Sequence, residues 1–337
     1  MAQAAPAPAR DRAGGRIEWA ILQTVAYFSL FDYTPSLFEL HRYLHGESAT
    51  LEDVRAAWQR LDAQRYPATP HARARWLRSV QGTTIPMASA GAAHADEGGH
   101  TRPRPSFLQP GLGRRPSFAP VLGPPSRPAD RRLRVYLTIL KYLPFVRMIG
   151  LTGSKAVDPA GDGDTDLMIV AARGRVWLCR LGAVAVARFA RRFGDRLCPN
   201  YVVSEDSLAL PEMSVYDAHE LAQLVPLYGR AAYQDLWDRN SAVGDLLPNS
   251  YPFTGPIDRL LPGAGRLKKA LERALGGRLG DRLERWERTR KIARLRALGV
   301  ISPEISLTSE QCKGHFDGHR TRILSAYDHL LSRTEGA

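Results

Sequence analysis

The chain has no run of about eighteen consecutive apolar residues, so no segment is expected to cross a membrane as a helix. Its first residues, MAQAAPAPARDRAGG, lack the apolar core of a secretory leader, and the cytoplasm is the expected location. Cysteine is scarce: Cys179, Cys198 and Cys312 are an odd, scattered set, which argues against a disulfide framework and fits a reducing compartment. Neither a GxxxxGK[ST] loop nor a GxGxxG turn is present, which excludes two familiar Gly-rich phosphate cradles. Acids are outnumbered, 34 Asp and Glu against 47 Lys and Arg, and the formal net charge of +13 implies attraction to polyanions. Nucleic acid is therefore a candidate partner, and the same sign suits a triphosphate. Much of the excess is Arg in an Ala- and Pro-rich background, which a GC-rich gene also produces, so charge alone does not choose between them.

A length of 337 residues, 44% of them hydrophobic, leaves room for two domains and a sizeable core. Residues 1–15 read as a disordered tail. Ile17, Ile21, Val25 and Phe28 then recur at helical spacing to about Leu30. Ser36-x-x-Glu39 and Thr50-x-x-Asp53 are capping-box patterns that open two further helices, the second carrying Val54, Trp58 and Leu61. Three short helices in residues 16–62 fit a helix-turn-helix or winged-helix module. A helical cap on a catalytic domain fits equally, because no recognition helix rich in Arg, Asn or Gln stands out.

The chemistry concentrates in residues 151–170, LTGSKAVDPAGDGDTDLMIV. Residues 145–151 (FVRMIGL) and 167–171 (LMIVA), at its two ends, have the apolar, β-branched texture of buried strands. Strand alternation places Asp164 and Asp166 on one face and Thr165, Leu167 and Ile169 on the other. Two converging carboxylates repel unless a cation sits between them, and their hard oxygens suit Mg²⁺. Gly153 permits close backbone approach, while the Ser154 hydroxyl and neighbouring N–H groups can hold phosphate oxygens. A solvated Asp-rich turn is the plainer alternative. A calcium loop is excluded, because its pattern requires Gly and Glu where Leu167 and Arg173 stand.

On Gly153, Ser154, Asp164 and Asp166 the sequence resembles the DNA polymerase β-like nucleotidyltransferase superfamily. That family's signature is a Gly-Ser turn, a loop of about ten residues, and Asp-x-Asp on the next strand. The pattern is that of minimal, stand-alone bacterial members, specific over residues 131–210 and weaker to about Asn249. The resemblance implies Mg²⁺-dependent transfer of a nucleoside monophosphate from an NTP, with ATP the expected nucleotide. Asp164 and Asp166 would bind two Mg²⁺ ions, and Gly153, Ser154 and Lys155 would grip the triphosphate. Lys155 follows the turn where an apolar residue is common; pairing with the triphosphate and simple solvation both remain open. The family's third acid has no counterpart on residues 197–204 (LCPNYVVS), where Asn200 stands in its place; Glu205 and Asp206, just beyond, are the candidates for a third ligand. Small-molecule, protein and RNA-end acceptors all use this motif. A regulator that has kept the fold, lost the chemistry, and binds DNA or senses nucleotide is the reading from a different class.

Residues 131–250 are thus the expected nucleotidyltransferase domain of an α+β protein: a core sheet with helices, beside an N-terminal helical or winged-helix-like module and a C-terminal helical region, residues 251–337. Its helices are expected at 131–143, 174–193, 214–224 and 231–237. The Arg residues of the second are a solvated face or, near the strand ends, reach phosphate. Residues 267–298 read as two helices or one kinked at Gly276-Gly277, more readily a packing element than a nucleic-acid groove. Cys312-x-x-His315-x-x-x-His319 has ligand-like spacing on a helix but only three ligands, so a zinc site competes with an ordinary helix end. Residues 63–130 are Pro-, Arg- and Gly-rich without periodicity and read as a disordered linker, unusually long for a compact protein. A winged-helix module would place two strands here, which leads to the expectation that part of this segment is out of frame relative to its relatives. Resequencing the gene should then reveal a continuous strand-like pattern in another frame, and its absence overturns the idea.

Overall fold

The computed structural model describes residues 9–31, 33–65, 128–157, 164–210, 212–257, 265–297, 306–313 and 319–335. In chain order these carry α1 (Ala9–Ser29), α2 (Leu37–Arg42), α3 (Leu51–Arg65), α4 (Pro128–Tyr142), β1 (Val146–Thr152), α5 (Ser154–Val157), β2 (Thr165–Ala171), α6 (Val176–Arg191) and β3 (Leu197–Ser204). There follow α7 (Val215–Gln223), β4 (Val225–Tyr228), α8 (Arg230–Asp238), α9 (Val243–Leu246), α10 (Gly265–Leu275), α11 (Arg278–Ala297), β5 (Ser306–Leu307), β6 (Gln311–Lys313) and α12 (His319–Glu335). The architecture is α+β, and no helix among the described residues is long and apolar enough to cross a membrane.

Two units divide these elements. One contains α1, α2 and α3 with residues 244–250 and 321–335, and its described residues form no strand. Ile21, Leu40, Leu44, Val54, Ala57 and Leu61 make its core, with Ile17, Val25 and Trp58 packed against them, so the helical spacings in the sequence mark buried faces. Both capping boxes form. The Ser36 amide donates to Glu39 at 2.8 Å and the Ser36 hydroxyl accepts from the Glu39 amide; Thr50 and Asp53 make the same exchange at 3.1 Å. His45 is buried in this unit, its Nδ1 2.7 Å from the Tyr327 hydroxyl. Helix α1 starts at Ala9, inside the stretch expected to be a tail, and runs through Gly14 and Gly15, two poor helix formers, as an extension of its packed half. Both ends of the expected linker 63–130 are likewise helical, in α3 and α4; its residues 66–127, where wing strands would fall, lie outside the described residues.

The second unit is built on a mixed six-stranded sheet in the order β4-β1-β2-β3-β6-β5. Strand β1 is antiparallel to β2 and β4, whereas β2 and β3 are parallel, the sixteen residues of α6 providing the crossover that a parallel pair requires. Both central strands are apolar on both faces, as their sequences indicate, because α4 and α6 pack on one face and Leu224, which follows α7, meets Gly150 on the other. The expected C-terminal helical region, residues 251–337, is redistributed. Helices α10 and α11, separated at Gly276-Gly277, and the hairpin β5-β6 belong with the sheet, while residues 321–335 belong with the other unit. The hairpin strands have two and three residues, too short and polar to leave an alternation. Cys312 is a buried residue of β6 opposite Val202, so the Cys312, His315, His319 spacing does not ride one helix; His315 lies outside the described residues.

Gly229 links β4 directly to α8 with φ of 86°, and a Cβ there would overlap the Arg147 carbonyl oxygen of the neighbouring β1. Gly229→Ala is therefore expected to lower the unfolding free energy by at least about 2 kcal/mol in urea denaturation. A loss under about 0.5 kcal/mol would show that the β4–α8 junction yields freely.

Candidate functional site

The antiparallel register sets Thr152, the last residue of β1, opposite Asp166 near the start of β2. The connection between the strands leaves and re-enters the sheet at one end, which brings Gly153 and Ser154 alongside the Asp-x-Asp pair. Gly153 has φ of 68°, and a Cβ on it would stand 2.6 Å from Asp166 Oδ2. Only a residue without a side chain lets the turn and the carboxylate meet. Ser154 opens the single turn α5, in which the Ala156 amide donates to Gly153 O at 3.0 Å. Lys155 turns inward: its Nζ donates to Thr165 Oγ1 at 3.1 Å, and its charge acts on Asp166.

The two carboxylates have different surroundings. Asp164 pairs with Arg196 at 3.6 Å in an exposed contact of the kind that contributes little and is readily exchanged. Asp166 is half-buried, and desolvation pushes its pKa up to about 6 despite the Asn200 hydrogen bond; the Asp164 charge raises it further and Lys155 opposes that. Asn200 Nδ2 donates to Asp166 Oδ1 at 2.6 Å, while Cys198 Sγ lies 2.6 Å from Asn200 Oδ1. Burial and the nearby carboxylates hold the Cys198 thiol protonated, its pKa at about 11, so it donates to the amide oxygen and fixes which end of the amide faces Asp166.

Glu205 and Asp206, the expected candidates for a third ligand, are far from this pair. Because β2 and β3 run parallel, residues just past the end of β3 lie at the far end of β2, and the Glu205 amide donates to Ala171 O at 2.8 Å. Five residues of strand, about 17 Å at 3.3 Å per residue, separate that point from Asp166. Both acids are engaged there: Glu205 accepts from the Arg173 amide at 3.1 Å, and Asp206 pairs with the Arg173 side chain at 3.2 Å.

A carboxyl that sequence reasoning missed lies nearer. Glu220 on α7 is half-buried, and desolvation followed by the Asp166 charge pushes its pKa to about 7. Its signal was local: Tyr216, Glu220 and Leu224 fall at four-residue intervals, which puts an acid on the apolar stripe of an amphipathic helix. Among the described residues no three His, Cys, Asp or Glu side chains converge as a ready metal site, and residues 158–163, with Asp158 and Asp162, lie outside them. The donor set of Asp164 and Asp166 still suits Mg²⁺, which takes one or two protein carboxylates and completes its shell with phosphate and water.

Comparison with family models, with curated proteins and with solved structures finds no match to this chain.

Carbon-detected NMR of the metal-free protein should give an Asp166 titration midpoint near 6. Asn200→Ala should raise it, because the amide stabilises the charged form. A midpoint at the ordinary 3.8 would mean the carboxylate is solvated. The sign for folding follows: a pKa raised above its unfolded value contributes stability below about pH 4 that is lost as pH rises through 6.

Proposed function

We propose that this chain is a Mg²⁺-dependent nucleotidyltransferase with a polymerase β-like core in residues 131–250, moving a nucleoside monophosphate from an NTP, ATP foremost, to an acceptor. The observation that carries the reading is the contact of Gly153 with Asp166: the phosphate-gripping turn and the metal-binding carboxylates of the sequence motif occupy one end of one strand pair. In this reading the Gly153 and Ser154 N–H groups and the Ser154 hydroxyl hold the terminal phosphates. Lys155 offsets part of the triphosphate charge. Asp164, once released from Arg196, and Asp166 hold the metal. Mg²⁺, when bound, supplies stabilisation of charge on the α-phosphate and the departing pyrophosphate. The strongly basic chain and the absence of a membrane-crossing helix among its described residues fit a cytoplasmic enzyme working on anions.

One observation favours the second reading, a catalytically degenerate regulator that binds DNA or senses nucleotide. Asn200, not an acid, is hydrogen-bonded to Asp166. A gel shift with DNA whose strength falls steeply with salt, without pyrophosphate release, would support it.

For the enzyme reading, calorimetric titration of each NTP is expected to show Mg²⁺-dependent binding to the wild type and none to the Asp164→Ala/Asp166→Ala double variant. Pyrophosphate release should fall at least about 10²-fold in either single variant. Binding unchanged by the double substitution would refute the site.

A further inference from the structure

A pocket of about 70 Å³ lies between the sheet and α7, bordered by Thr152, Met168 and Asn200 on the sheet side. Met168 is two residues along β2 from Asp166 and shares its face, Thr152 is the cross-strand partner of Asp166, and Asn200 is its hydrogen-bond donor. The pocket therefore continues inward from the Asp-x-Asp pair. Leu210, Leu221, Leu224 and Leu236 make its walls apolar. Of its polar groups, nearly all are committed to each other. Asp217 closes the capping box of α7 and is paired with Lys313 at 3.7 Å and Arg320 at 2.9 Å. The Tyr201 hydroxyl donates to Gln311 at 2.9 Å, and Asn200 is held by Cys198 and Asp166. Among the described residues Glu220 makes no hydrogen bond and, of the cations, feels only the charge of Lys313, so the pocket offers a ligand one carboxyl free to bond it.

We propose that this pocket is the acceptor subsite, that it takes the apolar end of a small, non-anionic alcohol, and that Glu220 receives the hydroxyl proton. The proposal rests on the nucleotidyl-transfer reading and adds to it the class of acceptor. An apolar wall excludes a sugar-phosphate chain from the pocket itself. Of the charged residues that line the pocket, Asp217 and Glu220 outnumber Lys313, which is itself paired with Asp217, and Asp166 and Asp164 lie beyond Thr152 and Met168; this balance disfavours carboxylate- or phosphate-bearing acceptors. In the transfer, the hydroxyl oxygen attacks the α-phosphorus of the NTP and forms a new P–O bond. The bond from the α-phosphorus to the bridging oxygen breaks, pyrophosphate departs with that electron pair, and the hydroxyl proton passes to the Glu220 carboxylate. No oxidant or reductant is consumed.

The first test needs no nucleotide and so separates this inference from the reading beneath it. With ¹³C-methyl-labelled methionine at pH 8, the Met168 methyl is expected to shift saturably on titration with isobutanol and at least tenfold more weakly with isobutyrate. Glu220→Leu should reduce that discrimination at least about threefold. Equal or tighter binding of isobutyrate, no response to isobutanol, or discrimination left unchanged by Glu220→Leu would overturn the subsite. The second test concerns the proton. Glu220→Gln should keep NTP affinity within about twofold while pyrophosphate release with alcohol acceptors falls about 10²-fold or more and loses its dependence on pH around 7. Release that proceeds at the wild-type rate in Glu220→Gln, or that answers only to nucleic-acid ends, would remove Glu220 from the role.

Discussion

Everything at the candidate site depends on one close approach, the backbone of Gly153 against the carboxylate of Asp166. It is made possible by the register of β1 and β2, which pairs Thr152 with Asp166 so that the turn begins where the carboxylates stand. A slip of one residue would turn Asp166 toward the helices α4 and α6 and send Leu167 into the opening. The apolar runs of both strands, buried on both faces, are what hold the register. Core packing and site geometry are therefore one constraint.

The electrostatics of the site are lopsided. Asp164 is half-buried and weakly paired, whereas Asp166 is desolvated, held by a neutral amide and a lysine at the edge of its reach. With Arg196 in an exposed, long contact and Lys155 bonded to Thr165, the pair keeps negative charge that an added cation between the two carboxylates can take up. The Cys198 thiol enforces this arrangement by occupying the amide oxygen of Asn200. The opposite end of β2 is satisfied from within, by the Arg147, Arg173, Glu205 and Asp206 pairs. Open charge is thus confined to one end of β2.

Local features were legible in the sequence, and features assembled from distant segments were not. Gly153, Ser154, Asp164 and Asp166 lie within fourteen residues, so strand alternation and turn chemistry alone bring them together. The capping boxes at Ser36 and Thr50 and the break at Gly276-Gly277 are similarly short-range. Glu205 and Asp206 stand away from Asp166 because β3 runs parallel to β2, an orientation that decides which end of β3 meets Asp166 and that local sequence does not carry. Glu220 was passed over because its nearness to Asp166 arises only when α7 folds across the sheet, although its position on an apolar stripe was visible. The β5-β6 hairpin had too few residues to show any period.

The bond between His45 and Tyr327 joins residues 282 positions apart within a single unit. Helices α1 to α3 therefore wait for a hydroxyl made 282 residues later before the buried imidazole gains this bond. Until then, the sheet-bearing unit can form from residues made in between, and α1 to α3 must persist with an open flank. The unit that holds α1 to α3 thus closes after the sheet-bearing unit, although its helices are made before the sheet.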